Sequence, residues 1–168
     1  MVKLKIAFLA VCLVILSEAT LAIELKDDYA VTTVRAFDDL NKDTINNLDN
    51  YYEADAHFRD PITDVQGLAE IKKYYSHVYA NVKSIHFNFQ SISREGAIQT
   101  AVWKMSVIHP ALNGGKELTL DGVSILEFNL NSHKLIAHRD YYDLGEFIYE
   151  RIPILGPVIR YIKNKMKP

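Results

Sequence analysis

Ile136-Ala137-His138-Arg139-Asp140-Tyr141-Tyr142-Asp143-Leu144-Gly145-Glu146-Phe147 reads as a strand that carries a carboxylate and then runs into a helix start. Strand parity places Ile136, His138, Asp140 and Tyr142 on one face. An earlier segment has a similar ending. Tyr51-Tyr52-Glu53-Ala54-Asp55-Ala56-His57-Phe58-Arg59-Asp60-Pro61 extends through Ala56–Asp60, and Pro61 stops it at a second carboxylate.

Between and before these two carboxylates the periodicity sorts into helices first and strands later. Ala30, Val34 and Phe37 recur at helical spacing over residues 24–40, and Asp43 suits the cap of a second helix bearing Ile45, Leu48 and Tyr52. Gly67 precedes a third helix whose apolar face is Leu68, Ile71, Tyr75 and Val78. From Ile85 onward the period changes to two. Phe87 and Phe89 alternate with polar residues, Ala101, Trp103, Met105 and Val107 alternate with Val102, Lys104, Ser106 and Ile108, and Asn113-Gly114-Gly115 marks a turn. Helices followed by a run of antiparallel strands make an α+β domain.

The N-terminus reads as a secretory signal peptide over 1–22. Lys3 and Lys5 precede the apolar run Ile6–Leu16, and Ala22 offers a small residue for cleavage. The run is short of the roughly 20 residues that span a bilayer, so a secreted or periplasmic protein is expected, with an uncleaved membrane anchor as the alternative. Cleavage removes Cys12, the single cysteine, and leaves a disulfide-free domain of residues 23–168. It also takes the basic and acidic counts from 19 and 21 to 17 and 20, a net charge of about −3 that disfavours nucleic acid as a partner. No serine elbow, phosphate loop or dinucleotide fingerprint occurs, and the histidines show no two-histidine metal spacing, with only His138 and Asp140 spaced to share an ion.

The two carboxylate segments resemble the two ends of the ligand-holding cone in the nuclear transport factor 2-like superfamily. Arg139-Asp140-Tyr141-Tyr142-Asp143-Leu144 is similar to a limonene-epoxide hydrolase run whose first aspartate works in the pocket, and the SnoaL-type polyketide cyclases carry an acid/base aspartate there. The segment ending in Asp60-Pro61 resembles the ketosteroid isomerase stretch that ends in its general base. His138-Arg139-Asp140-Tyr141, Tyr149-Glu150-Arg151-Ile152-Pro153-Ile154-Leu155-Gly156 and a basic tail together resemble SnoaL-like bacterial proteins.

The resemblance implies a curved antiparallel sheet wrapped into a cone, three N-terminal helices, a C-terminal capping helix, an apolar pocket and no cofactor. It implies acid–base chemistry of isomerase, cyclase or epoxide-hydrolase type on a small apolar molecule, with sheet-mediated homodimers a further implication. Asp140 is the first expected catalytic group and Asp60 the second, with Lys104 or His138 giving electrostatic help and Phe58, Tyr142 and Val102 walling the ligand. Lys104 would pair with Asp140 or steady an oxyanion, or else snorkel to water, and Trp103 would face away from the ligand. The departures are specific. The isomerase's second acid falls at Ser124, and the hydrolase's arginine–aspartate pair falls at Val102 and Lys104. A non-catalytic carrier of lipid-like ligands and an assembly domain with a filled cone are the competing readings.

Residues 151–168 hold five basic and no acidic residues beside the apolar series Leu155, Val158, Ile159, Ile162 and Met166. That pattern suits either a helix packed on the domain with its lysines outward or one resting peripherally on an anionic membrane.

Overall fold

The computed structural model describes residues 28–168; the expected signal peptide at 1–22, with Cys12, lies outside the described residues. Helix α1 is Tyr29–Asp38, capped by Asp28, whose carboxylate accepts the Ala30 N–H at 2.7 Å and pairs with Arg94 at 2.9 Å. A short 3-10 helix, Ile45–Asn50, follows. Strands β1 (Tyr52–Arg59) and β2 (Asp64–Gln66) form a hairpin, then helix α2 spans Leu68–Tyr79. Strands β3 (Ser84–Glu95), β4 (Ile98–Ile108), β5 (Leu118–Phe128) and β6 (Leu135–Tyr142) complete one six-stranded sheet in the order β2-β1-β6-β5-β4-β3. Short helix α3 (Leu144–Phe147) and helix α4 (Leu155–Lys165) end the chain.

The expected α+β cone is present, with differences of detail. The sheet is mixed, because β1 lies parallel to β6 while the other pairs are antiparallel. The second expected helix is only the 3-10 segment, and Tyr52 opens β1 instead of closing that helix. Thr44, not Asp43, takes the N-cap position, without a side-chain cap bond; its hydroxyl instead accepts the Asn41 N–H of the preceding turn at 2.9 Å.

Register breaks in β1, in β3 between Phe89 and Ser91, and between β5 and β6 at Glu127/Phe128 bend the sheet around its concave face. The last break also resets parity in β6. Leu135 and His138 are both buried, while Ile136, expected beside His138, points outward. Helix α2 closes the cone with Ile71, Tyr75 and Tyr79, buried residues at i, i+4 and i+8. Gly67 begins it at φ +90, a conformation that glycine reaches without strain.

The core has two parts. One packs Tyr52, Phe58, Ile71, Leu126 and Leu135 under the helices, and the other packs Trp103, Met105, Leu118 and Leu120 along the outer strands. Gly122 lets the Trp103 ring of the second part lie flat on β5, since a Cβ there would clash with that ring. Gly122→Ala is therefore expected to cost about 1–3 kcal/mol by overpacking. Urea unfolding checks this, and an unchanged midpoint would contradict it.

Helix α4 does not cap the cone. Its attachment is to the short 3-10 helix Tyr149–Arg151, and no α4 residue lines the main cavity. Gly156 is its only buried residue, and most of the expected apolar stripe faces solvent.

Candidate functional site

Sheet curvature leaves an apolar cavity of about 230 Å³ between the concave face and α2. Phe58, Tyr74, Phe87, Trp103 and Tyr142 supply aromatic walls, and Asp60 and Asp140 supply the two carboxylates. A smaller inner space of about 60 Å³ shares Trp103 and Asp140 with it and reaches Ser124 and His138.

Asp140 is the endpoint of two hydrogen-bond chains. In the first, the Trp103 indole N–H, which can only donate, reaches Ser124 Oγ at 2.9 Å, and Ser124 donates its own proton to Asp140 Oδ1 at 2.5 Å. Residues 124 and 140 face each other across the β5–β6 ladder, so register alone brings them together. In the second, the Tyr52 hydroxyl lies 2.5 Å from His138 Nδ1, and His138 Nε2 lies 2.8 Å from Asp140 Oδ1. Burial, and then the Asp140 charge, hold the Tyr52 phenol well above its ordinary pKa, so it stays protonated and donates. His138 thus accepts at Nδ1 and carries its proton on Nε2, aimed at the carboxylate. Phe37 and Phe58 pack on the imidazole at 5.1 and 5.0 Å between centroids and fix its plane.

The consequence is asymmetric. Asp140 Oδ1 accepts two hydrogen bonds, whereas Oδ2 accepts none among the described residues and is not fully buried, and Asp140 lines the cavity. One oxygen is held and the other is open.

Asp60 has both of its oxygens taken. Oδ1 accepts the Ile62 and Thr63 N–H groups at 2.7 Å each, and Oδ2 accepts the Tyr74 and Tyr142 hydroxyls at 2.6 and 3.1 Å. It is 8% exposed, held by the turn that Pro61 begins. Asp60 thus ties α2 to the end of β6 through two phenols at the cavity wall.

The site residues expected from sequence divide accordingly. Asp140, Asp60, Phe58 and Tyr142 line the main cavity, and His138 lies just inside it. Lys104 and Val102 do not reach it. Lys104 is on the convex face, paired at 2.7 Å with Asp121 directly opposite on β5. The larger apolar series Ala101, Trp103, Met105 and Val107 takes the concave face, which puts Val102 and Lys104 outside. Trp103, expected to face away from ligand, forms a cavity wall. Ser124, Tyr52, Tyr74 and Tyr75 were not anticipated as site residues. The available signal was Gly122 and Ser124 interrupting the apolar alternation Leu118, Leu120, Leu126, Phe128, because a polar group on a buried face needs a partner there.

Among the described residues, no three His, Cys, Asp or Glu side chains are grouped to hold a metal ion.

Five phenols around the site are pushed above the ordinary value of 10.0. Burial is the main cause throughout, reinforced by Asp140 for Tyr52 and Tyr79, by Tyr52 for Tyr75, and by Asp60 for Tyr74 and Tyr142. A raised folded pKa means that the unfolded chain releases these protons first. Their contribution to stability is complete below about pH 10 and is lost as pH rises beyond it. Alkaline titration followed by phenolate absorbance should show five of the ten tyrosines ionising only with unfolding. Ionisation of all ten in a chain that stays folded would contradict the described packing.

The SnoaL-like domain profile matches residues 33–138, ending two residues before Asp140. Among solved structures, a protein assigned as a SnoaL-like polyketide cyclase from Shewanella denitrificans OS-217 superposes with a TM-score of 0.62 at 20% identity, covering 73% of this chain and 93% of that one. An LEH-like epoxide hydrolase from M. tuberculosis superposes at 0.59 and 15% identity, covering 79% and 96%. A protein with a ketosteroid isomerase-like fold from Catenulispora acidiphila DSM 44928, in complex with trimethylamine, superposes at 0.60 and 15% identity, covering 73% and 90%. No curated protein matches the chain. At such identities the superpositions speak for the fold, and with the family match over most of the sheet and helices they place this chain in the SnoaL-like domain family, on the nuclear transport factor 2-like fold.

Proposed function

We propose that this protein is an acid–base catalyst of isomerase, cyclase or epoxide-hydrolase type that acts on a small apolar molecule, with Asp140 transferring the proton. The observation that carries the proposal is the asymmetry of Asp140. Its Oδ1 is fixed by Ser124 and His138, while its Oδ2 has no hydrogen-bond partner among the described residues, on a side chain that lines an aromatic-walled cavity. A base fixed through one oxygen loses little freedom when the other accepts a proton, which is the positioning that proton transfer requires.

The neighbours have separate roles in this reading. Asp140 Oδ2 takes a proton from carbon, or from a water that attacks the ligand, and returns it to the product. His138 and Ser124 orient the carboxylate and keep hydrogen bonds on Oδ1 in both protonation states. Asp60 holds Tyr74 and Tyr142 at the cavity wall, with both phenol protons directed at its Oδ2. Phe58 and Trp103 shape the apolar volume.

The test begins with the ligand. Protein purified without detergent is extracted with organic solvent, and the released small molecules are identified by mass spectrometry. Fresh protein is then incubated with each one. Conversion to an isomer, cyclised product or hydrate supports the proposal. A ligand that binds stoichiometrically and is recovered unchanged would favour a carrier.

A further inference from the structure

We propose that helix α4 docks this protein on an anionic lipid surface. The proposal stands on the exposure of the helix and is independent of the role of Asp140.

Helix α4 is fixed to the domain along a polar side. Gly156 lies against the Glu150 carbonyl so closely that a Cβ would sit 2.1 Å from its oxygen. Arg160 donates to the same carbonyl at 2.9 Å, while Lys163 pairs with the Glu150 carboxylate and lies 3.6 Å from Asp143. Residues 156, 160 and 163 share one side of the helix, and most of the apolar stripe lies off that anchored side.

Apart from Ile159, that stripe is uncovered, as are its neighbours Tyr161 and Ile154. Val158 is 50% exposed, Ile162 51%, Tyr161 63%, Met166 81% and the preceding Ile154 84%. So much apolar surface, concentrated along one helix, marks an interaction site. Arg151, Arg160, Lys163, Lys165 and Lys167 accompany it, and no acidic residue follows Glu150. Lys165 and Lys167 form no ion pair among the described residues, and Lys165 lies 5.7 Å from the Tyr161 ring centroid.

Charge and composition select the occupant. A second copy would bring two basic helices together, which is unfavourable. A protein groove would have to accommodate lysines beside the stripe, and lysine is depleted from the cores of such interfaces. An anionic bilayer accepts both parts, with the apolar side chains and Tyr161 at the acyl boundary and the lysines among the headgroups. No described helix is long and apolar enough to cross a membrane, so the contact is peripheral.

The docking helix is also close to the cavity. Phe147, three residues before Glu150, is a cavity wall, and Arg151 bonds Asn113 at 3.3 Å, next to the wall residue Leu112. An apolar ligand partitioned in the membrane would then enter near the point of docking.

The test uses the full chain with Tyr161→Trp, whose emission is read as a difference from wild type because Trp103 is the sole native tryptophan. Vesicles of equimolar phosphatidylglycerol and phosphatidylcholine, unlabelled or with brominated acyl chains, are compared with phosphatidylcholine alone. The expected result is a blue shift and bromine quenching of residue 161 on the anionic vesicles only, both reduced by about 0.5 M salt. Lys165→Gln with Lys167→Gln should weaken partitioning on the order of tenfold, and Val158→Asp with Ile162→Asp should abolish the quenching. These four positions are exposed, so the fold and the cavity are expected to be retained, which circular dichroism checks. Unquenched, unshifted emission on anionic vesicles would overturn the proposal, even if the chain is retained on them by its N-terminus. Capture of the stripe by a soluble protein, with no response to lipid, would overturn it in favour of a protein partner.

Discussion

Asp140→Asn is expected to lower turnover by about 100- to 10,000-fold, the range for losing a positioned general base, while ligand affinity changes only a few-fold. The amide has nearly the same shape, and its carbonyl oxygen can still accept from Ser124 and His138, which now meet Asp140 Oδ1 at 2.5 and 2.8 Å. Only the group facing the cavity changes from a base to one that cannot take a proton. Turnover measured with the extracted ligand, and affinity measured by calorimetry, separate the two effects. Equal losses of both would mean that Asp140 binds ligand without transferring a proton. Asp140→Leu adds a stability comparison. Stabilisation with no loss of any activity would favour an assembly role, because it would mark the carboxylate as a cost without a function.

Asp60→Ala is expected to be the most destabilising change at the site, on the order of 3–5 kcal/mol. Four donors lose their acceptor at once. The Ile62 and Thr63 N–H groups lose the contact that closes the turn, and the Tyr74 and Tyr142 hydroxyls lose their shared partner at the cavity wall. Each unpaired buried donor costs about 1–3 kcal/mol, and the total falls short of the sum because the turn can open to water. Asp60→Asn should cost less, since its carbonyl oxygen can still serve the two N–H groups. Denaturant unfolding of both variants checks the order. A loss below about 1 kcal/mol for Asp60→Ala would show that the turn and phenols find other partners.

The fold was legible because its decisive signals are local. The change from helical to alternating period, the Asp60-Pro61 stop and the Asn113-Gly114-Gly115 turn require no knowledge of distant contacts. The placement of Asp140, His138 and Tyr142 followed from parity within one strand. Parity failed at Ile136, where the register break between β5 and β6 inserts a change of phase that no residue pattern announces. It failed again on β4, where both faces carry apolar side chains and alternation alone does not choose between Val102–Lys104 and Ala101–Trp103. The partners of Asp140 were the hardest to anticipate. Ser124 joins it only through the β5–β6 pairing, and Tyr52 reaches His138 across 86 residues of sequence.

The helix at the C-terminus shows the same limit from the other side. Its apolar stripe and its charge were evident in sequence, but a stripe alone does not say whether a domain covers it. The anchoring of Gly156, Arg160 and Lys163 on Glu150 and Asp143 leaves most of that stripe exposed.

The most direct test of the central claim is solvent isotope incorporation. The extracted ligand is incubated in D2O with wild-type protein or Asp140→Asn and followed by NMR and mass spectrometry. Proton transfer through Asp140 Oδ2 predicts that deuterium from solvent appears in the ligand or its product with wild type, and that the variant reduces the rate to background. Binding of the ligand without deuterium incorporation, or equal incorporation by both proteins, would contradict it.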